Sequence, residues 1–360
     1  MLHLYIQFFK VKNFSLISLI TLVLLIFVNI LVVLTWPIYS KLNANKHFYI
    51  EEQTELLNLS EDELVELHNN TWKNYDKFRF IPFLGHTETD RETKFVNFTE
   101  ENGRHIVRPS NCKNNIYLYG GSTTFGYNVT DNQTLGFYLQ KLVDNSTCVF
   151  NHGRAYYYSK QENNLFINHI ENNKKINTAI FLDGINERCG GYEYMNQINN
   201  SFNMLVERPY LMWKSSIINL FYTLPIVQFI NSFSGSSRWI KDDNNNILKI
   251  DSCSSNTDLK YLYEKRVSVR DAICDKHNIK CYSFLQPMVG SSGKQISKLI
   301  TEERKKDFIY KYEVLSKAKG IIDLKYILIN DRQLSYIDGV HYSPDSNKSI
   351  AKELFKLLNE

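Results

Sequence analysis

The chain has 360 residues, which is long enough for one large domain with additional segments. Hydrophobic residues make up 43% of it and aromatic residues 14%, a composition that excludes a disordered or fibrous protein. The 42 Lys and Arg residues nearly balance the 38 Asp and Glu residues, and a net charge of +4 does not indicate the basic face of a nucleic-acid-binding protein. We therefore expect a globular protein with no nucleic acid among its partners.

An uncharged segment of mostly Leu, Ile and Val occupies residues 14–35. As a helix its 22 residues would span about 33 Å, enough to cross the hydrocarbon core of a bilayer. Trp36 and Tyr39 follow, where a signal peptide would have small residues at a cleavage site, so a retained membrane anchor is favoured. The sequence thus predicts a cytoplasmic N-terminus, a transmembrane helix and a stem, at residues 1–13, 14–35 and 36–113.

All six cysteines follow the predicted anchor, and none has the C-x-x-C spacing of a zinc site. Their even number favours disulfides in an oxidising compartment, with the domain periplasmic or extracellular, and six buried thiols in a cytosolic domain are the alternative. Three pairs are predicted. Cys112 with Cys148 would join the starts of two neighbouring strands, and Cys274 with Cys281 would cross one helix-to-strand turn. Cys189 with Cys253 follows by elimination. We expect neither a metal nor a cofactor.

The predicted stem contains two local signals. Ser60 and Glu63 have the spacing of a capping box and predict a short helix. Strand-like runs at residues 94–98 and 104–107 flank a turn at Glu101-Asn102-Gly103, which predicts a hairpin. Both features indicate scaffolding rather than a functional site.

From residue 114 onward, short runs of β-branched and aromatic residues alternate with longer helical patterns. Five such strands separated by helices predict an α/β fold, a parallel sheet with helices on both faces. Ligands of such sheets bind at the carboxyl ends of the strands. The predicted strands are Ile116–Tyr119, Thr147–Phe150, Thr178–Leu182, Lys280–Leu285 and Ile321–Asp323.

The chain contains four polar blocks. The first three directly follow the first three predicted strands, and the fourth precedes the last helical pattern. Ser122, after two glycines that permit a tight strand-to-helix turn, is a candidate nucleophile. His341 is the side chain that could take its proton near neutral pH, and Asp338, three residues earlier, could orient the imidazole. His152 is a weaker candidate for an acid or base, because no carboxylate is positioned by the pattern to orient it. The blocks are Gly120-Gly121-Ser122, Asn151-His152-Gly153, Asp183 to Glu187, and Asp338 to His341.

These blocks, in this order, resemble those of the SGNH, or GDSL-type, hydrolases over residues 114–360. The resemblance implies a flavodoxin-like three-layer α/β/α sandwich with a five-stranded parallel sheet. It implies that Ser122 is the nucleophile, that Asp338 and His341 complete a triad, and that Gly153 and Asn186 join the Ser122 N–H in an oxyanion hole. The first block reads GGST rather than GDS, and Glu187 stands where Asp is commoner.

Residues 188–260 form an insertion longer than a strand-to-helix crossover requires. Its apolar part, Leu211–Phe233, contains a lysine and a proline, both of which weaken a transmembrane helix. The two alternatives for this part are a bent helix that packs over the active-site cleft and a second transmembrane span. The function that we expect is that of a membrane-tethered serine esterase acting on O-acetyl groups of cell-surface glycans. An O-acyltransferase with the same triad is the first alternative, and a binding or assembly protein on a hydrolase scaffold is the second.

Overall fold

The computed structural model describes most of the chain, with gaps. The described residues are 20–35, 50–72, 78–81, 84–189, 256–289, 302–328 and 334–359. The chain divides into two compact units, one of Met1–Phe48 with Gly190–Ile250 and one of Tyr49–Cys189 with Asp251–Glu360. The apolar segment Leu211–Phe233 lies outside the described residues.

In the first unit, residues 20–35 form a helix whose apolar side chains are mostly exposed. Among the described residues, no helix has both the length and the apolar character needed to cross a membrane. Residues 14–19, which the sequence assigns to the same anchor, lie outside the described part. The membrane anchor therefore stays a prediction.

The second unit contains the described strands and eight of the described helices. The strands are β1 (Phe78–Ile81), β2 (Gly85–Glu88), β3 (Phe98–Thr99), β4 (Gly103–Arg104), β5 (Asn114–Gly120), β6 (Thr147–Asn151), β7 (Thr178–Asp183), β8 (Lys280–Leu285) and β9 (Ile322–Asp323). The helices are α1 (Ile50–Leu57), α2 (Glu61–Trp72), α3 (Ser122–Phe125), α4 (Leu135–Gln140), α5 (Ser159–Glu171), α6 (Asn256–His277), α7 (Glu302–Leu315) and α8 (Pro344–Leu358).

Five parallel strands form the body of the main sheet, in the order β6-β5-β7-β8-β9. They match the five predicted strands to within two residues at each end. The next two strands along the chain, β6 and β7, pair with β5 on its opposite sides, so the strand order reverses at β5. In an open α/β sheet this reversal marks the crevice where ligands bind.

The prediction of a purely parallel sheet is wrong at one edge. The predicted hairpin forms as β3 and β4, but β4 also pairs in parallel with β6, which gives a mixed sheet of seven strands. Gly103 makes this possible, because its φ is +73° and a Cβ there would lie 2.1 Å from the Asn151 carbonyl oxygen. The hairpin thus extends the main sheet.

The predicted three-layer arrangement is confirmed by the alternation of side chains along β5. Ile116 and Leu118 pack on one face among residues of α4 and α8. Tyr117 and Tyr119 pack on the other face among residues of α5 and α6. A strand that is apolar on both faces requires cover on both sides, which is the reason for the helix layers.

Two of the predicted disulfides are confirmed. Cys112–Cys148 and Cys274–Cys281 have Cα separations of 5.6 Å and 6.1 Å. Cys189 is also disulfide-bonded, but Cys253 lies outside the described residues, so that pairing stays a prediction.

Residues that precede β5 pack directly beneath the turn that carries Ser122. Leu64 and Leu67 of α2 share one buried cluster with Phe98, Phe125 and Tyr127. From Tyr49 onward, residues assigned to the stem belong to the same compact unit as the four polar blocks. Helices α1 and α2 therefore bear on the geometry of the site.

Candidate active site

Ser122 is separated from the end of β5 by Gly121 alone and is the first residue of α3. A Cβ on Gly121, the residue before it, would lie 2.5 Å from Nδ2 of Asn186, so a larger residue there would displace that amide. Asn151, at the end of β6, holds the other end of the short helix by donating from Nδ2 to the Thr124 carbonyl at 2.7 Å. The turn thus presents the Ser122 hydroxyl at the carboxyl edge of the sheet.

The three side chains predicted to form a triad are in hydrogen-bond contact. His341 Nε2 lies 2.9 Å from Ser122 Oγ, and His341 Nδ1 lies 2.6 Å from Asp338 Oδ2. The loop is held by its own backbone, because the N–H groups of Val340 and His341 both donate to Asp338 Oδ1 at 2.8 Å. This is the arrangement in which a serine can lose its proton to an oriented imidazole.

Asp338 has an environment that favours its charged form. Partial burial alone would raise the pKa of this carboxyl group, but the adjacent imidazole and the backbone N–H donors outweigh it and lower the pKa below the ordinary 3.8. Asp338 is therefore ionised throughout the neutral range.

Two donors at the turn that carries Ser122 are candidates for an oxyanion hole. The N–H of Ser122 is at the first position of α3 and has no intrahelical acceptor. The side chain of Asn186 lies against Gly121 and donates from Nδ2 to the Tyr157 carbonyl at 2.9 Å. That bond uses one N–H of the amide and orients the group, and the amide has a second N–H to donate.

The structure gives Gly153 a different environment from the one that the resemblance implies. Its N–H donates to Asn151 Oδ1 at 3.1 Å, within its own loop. A Cβ at this position would lie 2.3 Å from the backbone nitrogen of Phe125. Gly153 thus allows its loop to pack closely against α3, and its N–H already donates to Asn151.

Sequence reasoning missed Tyr156, which follows in the same loop. Its φ is +61°, an unusual value for a bulky side chain, and 54% of the residue is exposed. The next residue, Tyr157, supplies the carbonyl that orients Asn186. No signal in the sequence marks this position, because left-handed conformations are read from Gly or Asn rather than from Tyr.

Glu187, which stands in the third polar block at a position where Asp is commoner, has a structural role. Its carboxylate accepts from the backbone N–H and the hydroxyl of Ser159, both at 2.7 Å, at the start of α5. It also pairs with Arg266 of α6 at 3.2 Å. The loop that carries Asn186 is thereby tied to two helices at the buried edge of the site. Asp183 is buried as well and pairs with Arg270 at 2.8 Å.

His152 has no link to the triad. It is fully buried and stacks on Tyr117, with its ring centroid 4.3 Å from that of His169. Burial lowers the pKa of His152 well below its ordinary value, and burial with the charges of Arg154 and Lys174 lowers the pKa of His169 to about 3. Both imidazoles are therefore neutral in the folded protein.

The contribution of this histidine pair to the stability of the protein is expected to fall in mild acid. Below an ordinary pKa of about 6.5 the unfolded chain binds protons that the folded protein does not, so the free energy of unfolding falls as the pH falls. For His169 alone we expect a loss of about 2 kcal/mol between pH 7 and pH 5. Urea unfolding of the wild type and of His169→Asn at the two pH values measures this difference, with exposed His277→Asn as the control. An equal pH dependence in all three proteins would contradict the prediction.

Within the described residues, no group of three or more His, Cys, Asp or Glu side chains is arranged to hold a metal ion.

Comparisons with known proteins give structural similarities only. No protein-family model matches the sequence, and no curated protein is similar to it. Among solved structures, the chain is similar to a lipolytic protein of the G-D-S-L family from Desulfitobacterium hafniense DCB-2 (11% identity, 68% of this chain, 99% of that chain, TM-score 0.36). It is similar to the acetyl xylan esterase AlAXEase (13% identity, 68% of this chain, 99% of that chain, TM-score 0.36). It is also similar to Est24, a carbohydrate acetylesterase from Sinorhizobium meliloti (10% identity, 69% of this chain, 99% of that chain, TM-score 0.39). Similarities this low do not establish a family for the chain.

Proposed function

We propose that this chain is a serine esterase that removes O-acyl groups, and O-acetyl groups in particular, from carbohydrates. The observation that carries the proposal is the continuous contact from Asp338 through His341 to Ser122 at the carboxyl end of β5. Serine is a weak nucleophile until a base takes its proton, and this contact supplies an oriented base.

In the proposed reaction, His341 Nε2 takes the hydroxyl proton of Ser122 while Oγ attacks the ester carbonyl. Asp338 keeps the Nδ1–H tautomer and stabilises the imidazolium that forms. The carbonyl oxygen becomes an oxyanion that accepts from the Ser122 N–H and the Asn186 amide, and one such donor contributes about 3 to 4 kcal/mol in the transition state. The imidazolium then protonates the leaving alcohol, and water, deprotonated by the same imidazole, cleaves the acyl-serine.

Activity-based labelling tests the reaction class. A fluorophosphonate should label the wild-type protein at Ser122, and Ser122→Ala should not be labelled. A panel of acetylated sugars should then release acetate faster than esters with long acyl chains. Transfer of the acetyl group to an added sugar hydroxyl, in place of acetate release, would favour the O-acyltransferase. Absence of labelling and of turnover would leave a binding protein.

We also propose that the N-terminal segment anchors the protein and that the second unit lies outside the cytoplasm. The uncharged run at residues 14–35, the exposed apolar side chains of residues 20–35 and the two disulfides support this. Extraction of membranes with alkaline carbonate, together with protease protection of the C-terminal part, tests it. Release into the soluble fraction or free thiols at Cys112 and Cys274 would contradict it.

Asn186→Ala should lower kcat about a hundredfold to a thousandfold with little change in KM, because the amide would contact charge that exists only in the transition state. The same variant loses the bond to the Tyr157 carbonyl, so its melting temperature is measured on the same preparation. Asn177→Ala is the matched control, since Asn177 accepts from the Asn115 backbone at the opposite end of the sheet. A lower melting temperature with unchanged kcat would limit Asn186 to a structural role.

A further inference from the structure

The loop that follows α3 reaches from the nucleophile to the acid of the triad. Helix α3 is only four residues long and is capped at its C-terminus by Gly126, whose φ is +89°. Two residues later, Asn128 has a φ of +63°, a conformation that Asn adopts more readily than most residues. Its side chain donates from Nδ2 to Asp338 Oδ2 and accepts at Oδ1 from the indole N–H of Trp72.

The bond from Asn128 completes the set of donors around the Asp338 carboxylate. Oδ2 accepts from His341 Nδ1 and from Asn128, while Oδ1 accepts from two backbone N–H groups. A carboxylate has about four lone-pair positions, so all of them are used. With both oxygens held, the carboxylate cannot rotate away from the imidazole.

Trp72 holds Asn128 and also contacts the imidazole. The indole lies edge-on to His341 with ring centroids 5.7 Å apart, and Tyr127 stacks on the same imidazole at 5.7 Å and an interplanar angle of 20°. Trp72 and Tyr127 also contact each other, with ring centroids 4.8 Å apart. Gln53 of α1 adds a buried hydrogen bond of 2.8 Å from Nε2 to the Ile337 carbonyl. Residues of α1 and α2 therefore contact the loop of Asp338 and His341 at several points.

We propose that Asn128, held in place by Trp72, is a positioning residue that fixes the Asp338 carboxylate against His341. Helices α1 and α2 thereby belong to the catalytic unit and are not a spacer before it. This inference rests on the proposed esterase function and adds to it a residue pair that neither the resemblance nor the sequence pattern indicates.

Asn128→Gly tests the inference without straining the backbone, because Gly adopts positive φ freely and removes only the amide. Asn173→Gly is the matched control: Asn173 has a φ of +57°, is exposed and precedes β7 at the end of the sheet away from the site. We expect kcat to fall about tenfold to a hundredfold in Asn128→Gly with KM within about twofold of wild type. Asn173→Gly should match the wild type. Equal kcat in the two variants, or a change confined to KM, would overturn the inference.

A second variant tests the part played by Trp72. Trp72→Phe keeps an aromatic ring beside Tyr127 and His341 but removes the indole N–H. If Trp72 acts through Asn128, the double variant should be no slower than Asn128→Gly alone. Additive losses would show that Trp72 acts independently of Asn128 and would overturn the link between them.

The rate of fluorophosphonate labelling separates this inference from the proposed function and its substrate class. Labelling needs the activated serine but no particular ester. Wild-type labelling with a tenfold or larger slowing in Asn128→Gly supports the inference even if acetylated sugars are not the substrates. Wild-type labelling with no slowing overturns the inference alone, and absence of wild-type labelling overturns the esterase proposal together with it.

Discussion

Ser122→Ala and His341→Ala are each expected to lower kcat on the order of a millionfold, and the double variant should be no slower than either single one. The reason is that Ser122 Oγ and His341 Nε2, 2.9 Å apart, act in one proton transfer, so loss of either removes the whole step. The remaining activity would come from binding and from the oxyanion donors. Initial rates on p-nitrophenyl acetate, measured on the two single variants and the double variant, check this.

Two controls separate loss of chemistry from loss of fold. Ser146→Ala removes a half-buried hydroxyl that bonds Asp144 near the start of β6, and His277→Ala removes an exposed imidazole at the end of α6. Both should keep wild-type rates. Turnover within tenfold of wild type in Ser122→Ala or His341→Ala would exclude the proposed mechanism.

Asp338→Asn should lower kcat by about ten thousandfold. The amide oxygen can occupy only one of the two carboxylate positions, and the two backbone N–H groups that meet Oδ1 favour it there. The new NH2 group then faces His341 Nδ1 and the amide nitrogen of Asn128, both of which donate in the wild type. His341 is driven to the other tautomer, with its proton on Nε2 toward Ser122, and it can no longer accept the hydroxyl proton.

Asp323→Asn is the control for this variant. Asp323 accepts from the backbone N–H of Lys325 at 2.9 Å, which resembles the bond from Val340 to Asp338, but it is exposed and lies on β9. Its amide should leave kcat unchanged. The kinetics of the two variants are compared with their melting temperatures, and an Asp338→Asn protein with near wild-type kcat would show that the carboxylate does not orient the imidazole.

Much of the site could be predicted because its signals are local. Asp338 and His341 lie three residues apart, so one short loop brings the carboxylate to Nδ1 and the sequence shows both partners together. The Gly120-Gly121-Ser122 turn follows a recognisable strand, and the alternation of strands and helices predicts that the ends of β5 and β7 meet at one edge. Two disulfides followed from the same reasoning about neighbouring strands and turns.

Other parts depend on contacts between residues that are distant in the chain. Asn128 and Asp338 are 210 residues apart, and Trp72 lies 56 residues before Asn128. A hydrogen bond of this kind leaves no periodicity or spacing in the sequence, and the sequence pattern therefore places α2 in a stem. The engaged N–H of Gly153 was equally hidden, because a glycine that permits close packing and a glycine that presents a donor look alike in sequence.

The sequence by itself determined which segments become the five parallel strands and which residues are candidates for the nucleophile, the base and its acid. Those properties follow from backbone geometry, side-chain period and neighbouring residues. Only the tertiary structure decided that the hairpin of β3 and β4 extends the sheet, that Glu187 ties the Asn186 loop to α5 and α6, and that Trp72 and Asn128 hold Asp338. The physical reason is that each of these depends on polar groups finding partners across the packed core, and the partners are chosen by the three-dimensional path of the chain rather than by any local pattern.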